Sequence, residues 1–264
     1  MDTLTVERAD GVVTVTMNRP ARKNAATPQM FVELTEAFRE VSADPTQRVL
    51  VITGAGDGFC SGADLANAAA GGGGGGARGI SASMASMRVV GQCALALHQV
   101  PQPTIAAVNG VAAGAGCNLA LGCDLIIASE QARFSEIFVK RGLNIDFGGS
   151  WILPRLIGIH KAKELAFLAD IISAPEAAEV GIVNRVVPHD ALMKEAMEVA
   201  QRLVKLPPIP LAMTKKLLNQ SFAVSLTEAL EFEDTSQAMM FGTKDTAEAV
   251  LAFIEKRDPH FTGE

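Results

Sequence analysis

The sequence lacks the cysteine pattern of a metal or redox site. Structural zinc sites and thiol redox motifs typically have cysteines at C-x-x-C spacing. The four cysteines of this chain, Cys60, Cys93, Cys117 and Cys123, do not show that spacing. They stand among apolar or small residues. We therefore predict reduced cysteines that pack inside the protein, and no metal site.

The chain also lacks an excess of positive charge and a long apolar run. Its formal net charge is -6, which argues against a nucleic-acid or membrane-surface partner. No basic segment followed by an apolar one opens the sequence, and no run approaches the ~20 apolar residues of a membrane span. We expect a cytoplasmic protein whose partner is a small molecule.

The apolar residues that are present are arranged in two alternating patterns. Apolar residues make up 48% of the 264 residues and charged residues 20%, which is the balance of a globular protein. Short strand-like runs that end near glycine alternate with helical patterns up to about residue 190; these runs are residues 11–17, 49–53, 104–108 and 125–128. This alternation predicts an α/β fold.

The last quarter of the sequence has only helical periodicity. Its four predicted helices are residues 192–206, 210–220, 225–240 and 244–256, and a proline-rich stretch separates the first two. A helical tail of this kind caps the α/β body or packs against a neighbouring chain, and the pattern does not distinguish the two.

Six consecutive glycines occupy residues 71–76. Glycine has the largest backbone entropy, so we predict a flexible loop over residues 66–79. It is either a lid beside a ligand entrance or a tolerated insertion.

Two glycine-rich motifs resemble those of a known family. The first is FCSGADL at residues 59–65, and the second is VNGVAAGAGCNLAL at residues 108–121. With supporting matches at residues 17–25, 147–158 and 252–257, they resemble the crotonase (enoyl-CoA hydratase/isomerase) family over nearly the whole chain.

This resemblance implies a fold, an assembly and a substrate class. The expected fold is α/β, a crotonase-like spiral of ββα units, with the acyl-CoA site in residues 1–205. Residues 206–264 are then a C-terminal helical region for coenzyme contact and for assembly into a homotrimer or a dimer of trimers. The expected substrate is an acyl-CoA thioester.

The resemblance also implies an oxyanion hole made by the backbone N–H groups of Ala63 and Ala115. Two fixed donors can stabilise the negative charge on a thioester oxygen without rearranging. A helix N-terminus expected at Ala115 would add a favourable potential. Many relatives have glycine where this chain has Ala115.

The positions that distinguish the family's reactions depart from its hydratase pattern. Hydratases hold a water between two glutamates, and the matching residues here are Asn118 and Phe138. Neither side chain is a useful acid or base, so we assign both to the substrate pocket and expect no two-carboxylate hydration. A shifted alignment could bring Glu136 into the site, although the fixed Gly148-Gly149 pair argues against that shift.

Asp146 stands where some isomerases of the family carry a functional aspartate. Its apolar neighbours Ile145 and Phe147 would desolvate the carboxyl and raise its pKa. We therefore predict an enoyl-CoA double-bond isomerase in which Asp146 moves a proton from C2 to C4. For Asp146 itself, the alternative is a helix N-cap.

Three other functions stay open for the chain. They are an enoyl-CoA hydratase (lyase), an acyl-CoA dehalogenase or hydrolase with His98 as its candidate base, and an acyl-CoA-binding protein without efficient turnover.

Coenzyme A is expected only as part of the substrate, and no prosthetic group is predicted. The resemblance places its adenine and phosphates near Arg22, Asp64, Leu65, Phe253 and Lys256, with Lys256 often supplied by a neighbouring subunit. Cations suit phosphates.

Two unrelated enzyme classes are not supported by the sequence. Residues 54–58 lack the third glycine of a dinucleotide-binding turn, and Ser61 is outside a G-x-S-x-G motif.

Overall fold

The computed structural model describes residues 1–64 and 79–264. Leu65 and the six-glycine segment lie outside these ranges. Within them, the chain forms ten strands in two sheets, together with ten α-helices.

The larger sheet has six strands. In spatial order they are β1 (Leu4–Ala9), β2 (Val12–Met17), β3 (Val49–Gly54), β5 (Thr104–Val108), β7 (Leu125–Ser129) and β10 (Arg185–Val187). The first pair is antiparallel, and every other pair is parallel.

The smaller sheet has four strands. In spatial order they are β4 (Gly58–Cys60), β6 (Val111–Ala113), β8 (Arg133–Ser135) and β9 (Ile172–Ser173). The first three run parallel to one another, and β9 pairs antiparallel with β8.

The helices follow the strands in a repeating order. They are α1 (Pro28–Ala43), α2 (Ile80–His98), α3 (Ala115–Leu121), α4 (Gly149–Ile157), α5 (Ile159–Leu168), α6 (Ala174–Glu179), α7 (Leu192–Val204), α8 (Pro208–Gln220), α9 (Leu226–Met240) and α10 (Lys244–Glu255). The four helices predicted for the last quarter of the chain are confirmed. Their starts have clear causes, since Ser225 caps α9, Thr243 caps α10 and Pro208 opens α8.

From β3 to β8, consecutive strands alternate between the two sheets. The pairs β3–β4, β5–β6 and β7–β8 each give one strand to the larger sheet and the next to the smaller one. A helix or helical turn follows each smaller-sheet strand. The predicted spiral of ββα units is therefore confirmed.

Apolar layers cover both faces of the larger sheet. Strands β3 and β5 are buried along their whole length. On one face Leu192, Ala196 and Ala200 of α7 pack in one cluster with Val49 and Val51, and on the other face the sheet joins the main core that includes α1. Burying each large aliphatic side chain contributes roughly 1.5–3 kcal/mol, so this sheet is the rigid base for the smaller one.

Two buried asparagines fix the loop that leads into the smaller sheet. Asn109 Nδ2 donates to the carbonyls of Gly54 (2.9 Å), Gly56 (2.8 Å) and Gly58 (3.2 Å). Asn24 Nδ2 also donates to Gly58 O, at 2.6 Å. These bonds give the carbonyls buried hydrogen-bond donors, and they hold the loop between β3 and β4.

Helix α2 is the most apolar of the long helices that the structure describes. It has 19 residues and a mean hydropathy of 1.3, and by length and composition alone it could cross a membrane. No other helix in the described ranges meets that test. Cys93, Ala96 and Leu97 of α2 are buried in the main core with α1, whereas only 17% of the apolar stretch as a whole is buried.

We expect Asn109→Asp to destabilise the protein more than Asn109→Ala. Removing the amide leaves carbonyls unsatisfied, at a cost of about 1–3 kcal/mol, and a carboxylate would in addition face three carbonyl oxygens. Urea unfolding measures both changes. Asn18→Ala, at an exposed asparagine, is the control, and equal stability of all three variants would contradict this role of Asn109.

Candidate active site

Three candidate residues follow three neighbouring parallel strands of the smaller sheet. Ala63 comes after β4, Ala115 after β6 and Glu136 directly after β8. Because the carboxyl ends of parallel strands meet at one edge of a sheet, the topology brings these residues together. The site is therefore built on the smaller sheet and supported by the larger one.

The backbone at Ala63 is held from one side only. Ala26 N–H donates to Gly62 O at 2.8 Å, and Asp64 N–H donates to Ala26 O at 2.9 Å. In this parallel bridge the N–H of Ala63 points away from Ala26. It has no hydrogen-bond acceptor within the part of the chain that the structure describes, and Ala63 is exposed. Ala63 N–H is therefore available to a ligand.

The second backbone donor lies at the N-terminus of α3. Gly114 has φ +53° and its N–H donates to Ser135 O at 2.9 Å. This conformation, which favours glycine, turns the chain into the helix. Ala115 is the first helical residue, so its N–H has no partner inside the helix, and among the described residues it has none elsewhere.

Glycine allows the two turns to approach each other. A Cβ on Gly116 would lie 2.1 Å from Cys60 O, and a Cβ on Gly62 would lie 2.9 Å from Ala113 O. Backbone therefore packs directly on backbone between the β4 and β6 ends. This contact sets the separation of the two donors.

Asn118 joins α3 to the segment that carries Asp146. It is fully buried, and its Nδ2 donates to Asp146 O at 2.9 Å and to Glu136 Oε2 at 3.4 Å. A Cβ on Gly149 would lie 2.4 Å from this amide. Asn118 therefore holds the candidate carboxyls in place rather than acting as a base.

Asp146 is half-buried, and no hydrogen-bond partner within the described ranges reaches its Oδ1. Burial raises the pKa of this carboxyl to about 6. The next residue, Phe147, has φ +49° and packs on Phe31 with ring centroids 6.0 Å apart. A left-handed conformation in a bulky residue costs free energy, and burial of the ring holds it.

The helix-cap alternative for Asp146 is wrong. The N-cap of α4 is Gly148, and no side chain caps that helix. Only the main-chain carbonyl of Asp146 accepts a bond there, from Gly149 N–H at 2.9 Å. The carboxyl is left for another role.

Glu136 is the site residue that the sequence analysis set aside. It is 3% exposed and lies against Cys117 and Asn118 of α3. Burial raises its pKa to about 7, and the nearby Asp146 charge adds to this, while hydrogen bonds from Cys117 and Asn118 oppose it. The signal that could have found it is its position at a strand end beside the two donor turns.

Phe138 is placed where a pocket wall is expected. It is 6% exposed, lies in the helical turn Ile137–Arg141, and its ring would lie 3.6 Å from a Cβ on Gly114. The ring therefore packs beside the second donor turn.

The predicted coenzyme contacts fall into two groups. Arg22 ends a helical turn beside the first donor loop, and its carbonyl accepts from Ser61 Oγ at 3.3 Å. Asp64 pairs with Arg19 at 2.8 Å, so its carboxylate fixes this loop. Phe253 is 84% exposed and Lys256 is exposed, both at the end of α10.

His98 lies in a different part of the molecule. It lines a cavity of about 460 Å³ with Trp151 and Lys215, and its ring meets Trp151 edge-on at 5.5 Å. Burial lowers its pKa, and Lys215 adds to this. No predicted site residue is among the described residues that line this cavity, so the structure gives His98 no place as a base for Asp146.

Taken together, the site presents two backbone N–H donors from different strands and a half-buried acid. The donors suit an oxygen that gains negative charge. An acid with a pKa near neutrality suits proton transfer at carbon. The arrangement suits a reaction in which a carbonyl oxygen gains negative charge while a proton moves at a neighbouring carbon.

Comparison with known proteins points to the same chemistry. Residues 7–264 match the family model described as enoyl-CoA hydratase/isomerase. A 1,2-epoxyphenylacetyl-CoA isomerase of Escherichia coli is 39% identical, with 96% of this chain and 95% of the relative covered. A crotonyl-CoA hydratase of Syntrophomonas wolfei is 34% identical, with 98% of both covered.

A solved structure agrees with the sequence relatives. The crystal structure of an enoyl-CoA hydratase from Bacillus anthracis superposes with a TM-score of 0.92 at 33% identity, covering 99% of this chain and all of that one. The two motifs, the ββα spiral and these relatives agree, and the chain belongs to the enoyl-CoA hydratase/isomerase family.

Proposed function

We propose that this protein is an enoyl-CoA double-bond isomerase that uses Asp146 as its proton shuttle. The observation that carries the proposal is the half-buried Asp146 carboxyl, whose pKa burial raises to about 6. Asn118 and Phe138 stand at the positions that match the hydratase glutamates. One relative is named 1,2-epoxyphenylacetyl-CoA isomerase, which supports an isomerisation of an acyl-CoA but not a particular double-bond shift. Coenzyme A takes part only as a portion of the substrate.

The proposed reaction needs one base and two backbone donors. A 3-enoyl-CoA binds with its thioester oxygen at the N–H groups of Ala63 and Ala115. Ionised Asp146 removes a C2 proton, which gives a dienolate, and returns that proton at C4. The donors stabilise the dienolate oxygen, because they point at charge that forms only in the reaction.

Enoyl-CoA hydration is the second candidate. Several relatives are named as hydratases, and Glu136 lies close enough to Asp146 for their charges to interact. Two carboxyls could hold a water between them. Glu136, however, is almost fully buried, so it offers a water little access, and we rank hydration second.

Replacing Asp146 by asparagine should abolish isomerisation. The amide keeps the size of the side chain but cannot accept the C2 proton, so kcat should fall about 10²- to 10⁴-fold with little change in KM. A coupled assay of 3-enoyl-CoA conversion measures this, and parallel assays with 2-enoyl-CoA measure hydration in both proteins.

Asp190→Asn, at an exposed aspartate, is the matched control and should keep wild-type activity. Isomerisation that survives Asp146→Asn would contradict the shuttle. Strong hydration that survives it would instead favour a hydratase.

The contact between the two donor turns can be tested at Gly116, whose lack of a side chain lets them approach each other. Gly116→Ala should push the turn away from Cys60 O and lower kcat about 10²-fold or more, since one lost donor has an effect of that size. Gly91→Ala, where a Cβ meets nothing within 4 Å, is the control. Normal kcat in a folded Gly116→Ala protein would contradict the oxyanion hole.

We also propose that residues 206–264 join copies of the chain into a trimer or a pair of trimers. The support is a set of exposed apolar side chains on α9 and on either side of it, namely Leu218, Phe222, Leu226, Leu230, Phe232 and Phe241. Exposed apolar groups in this number mark a surface that another protein covers.

Light scattering after gel filtration tests this assembly. We expect a mass of three or six chains for the wild type and a smaller mass for the double variant Leu226→Glu with Leu230→Glu. Val32→Glu, at an exposed valine on α1, should leave the mass unchanged. A wild type with the mass of one chain would contradict the proposal.

A further inference from the structure

Glu136 lies behind Asp146 in the site. Glu136 is 3% exposed, whereas Asp146 is half-buried and so more exposed. A ligand therefore reaches Asp146 first. Both belong to the edge formed by the ends of the smaller-sheet strands and the start of α4. The proposed reaction gives Glu136 no task.

The two carboxyls are joined through α3. Asn118 Nδ2 donates to Glu136 Oε2 at 3.4 Å and to the main-chain carbonyl of Asp146 at 2.9 Å. The Cys117 thiol donates to Glu136 as well. A change of charge on Glu136 is therefore felt at Asp146 both through space and through the Asn118 amide.

Each carboxyl keeps one oxygen unsatisfied. Glu136 Oε1 and Asp146 Oδ1 are buried and have no hydrogen-bond partner within residues 1–64 and 79–264. Burying an ionised carboxylate without full hydrogen bonding is costly, and two such charges close together cost more. The resting site therefore favours a single negative charge over two.

Burial raises the pKa of both groups, to about 7 for Glu136 and about 6 for Asp146. Of the described groups that face Glu136, the other titratable one is Cys117. Burial, and then the neighbouring Glu136, raise its pKa well above the ordinary thiol value. Cys117 therefore stays a neutral thiol near neutral pH, and the charge state of the site depends on the two carboxyls.

We propose that Glu136 is a positioning residue for Asp146, and that the working site holds one negative charge on Asp146 and one proton on Glu136. This inference rests on the proposed function, in which Asp146 is the base. The Glu136 proton is not transferred in the reaction, so the atoms balance as before. Its part is to keep a second negative charge away from the dienolate.

The pH dependence of kcat/KM for 3-enoyl-CoA isomerisation tests this role. The wild type should give a bell-shaped profile that rises as Asp146 ionises and falls as Glu136 ionises, and both limbs belong to the coupled pair. Glu136→Gln keeps the shape of the side chain but cannot ionise. It should keep the rising limb, lose the falling limb, and retain roughly a third or more of the maximal rate, since general-base catalysis by Asp146 remains.

The matched control is Glu179→Gln, at an exposed glutamate, which should reproduce the wild-type bell. A Glu136→Gln protein with an unchanged bell would overturn the proposal. A Glu136→Gln protein that is inactive at every pH would overturn it too, because Glu136 would then act in catalysis itself.

A carboxyl ¹³C NMR titration of protein labelled in glutamate gives a readout that does not need turnover. One glutamate should titrate near neutral pH in the wild type, and its pKa should fall in Asp146→Asn, because the neighbouring charge is gone. If every glutamate titrates in the ordinary acidic range, the proposal is wrong, whether or not Glu136→Gln folds.

The two hypotheses fail in different ways. Isomerisation that survives in Asp146→Asn would contradict the role of Asp146 as proton shuttle. The shifted glutamate resonance of the wild type would be unaffected by that result. An ordinary glutamate titration would end the pairing while leaving the shuttle intact.

Discussion

Direct backbone-to-backbone packing between the ends of β4 and β6 is the contact on which the site depends. Gly116 lies against the Cys60 carbonyl, Gly62 against the Ala113 carbonyl and Gly110 against the Asp57 carbonyl, each with no room for a Cβ. Parallel pairing of β4 with β6 aligns the two chains. The donor turns at Ala63 and Ala115 are therefore fixed by main chain rather than by flexible side chains. A preorganised donor pair needs no rearrangement when charge develops.

The rest of the fold supports this contact. The larger sheet supplies the apolar burial, while the smaller sheet carries turns whose polar groups need partners. Asn24 and Asn109 satisfy the carbonyls before β4, and Asn118 satisfies the carbonyl of Asp146. Polar side chains buried in this way rigidify a site when they are satisfied. Among the described residues, Asn109 Oδ1, Asn118 Oδ1, Glu136 Oε1 and Asp146 Oδ1 are buried without a hydrogen-bond partner. The two carboxyl oxygens of this set belong to the site where proton transfer is proposed.

Much of this arrangement could be predicted from the sequence, because its causes are local. The helices after residue 190 can be predicted from their apolar periodicity. Their starts can be predicted from the N-caps Ser225 and Thr243 and from the proline-rich stretch before α8. The glycine turns follow from the motifs at residues 59–65 and 108–121.

The sequence raised Glu136 only as an alternative, because its place in the site depends on contacts with residues far along the chain. Its partners Cys117 and Asn118 are 18 or more residues away, and only the fold decides whether position 136 or position 138 faces α3. The Arg19–Asp64 ion pair spans 45 residues for the same reason.

The central claim is that one bound thioester meets both backbone donors and Asp146 at once. A crystal structure with an unreactive 3-enoyl-CoA analogue tests it most directly. The account predicts the carbonyl oxygen about 3 Å from both Ala63 N and Ala115 N, with the Asp146 carboxyl facing C2 and C4. A carbonyl bound away from either donor, or an acyl chain that leaves Asp146 out of reach, would contradict it.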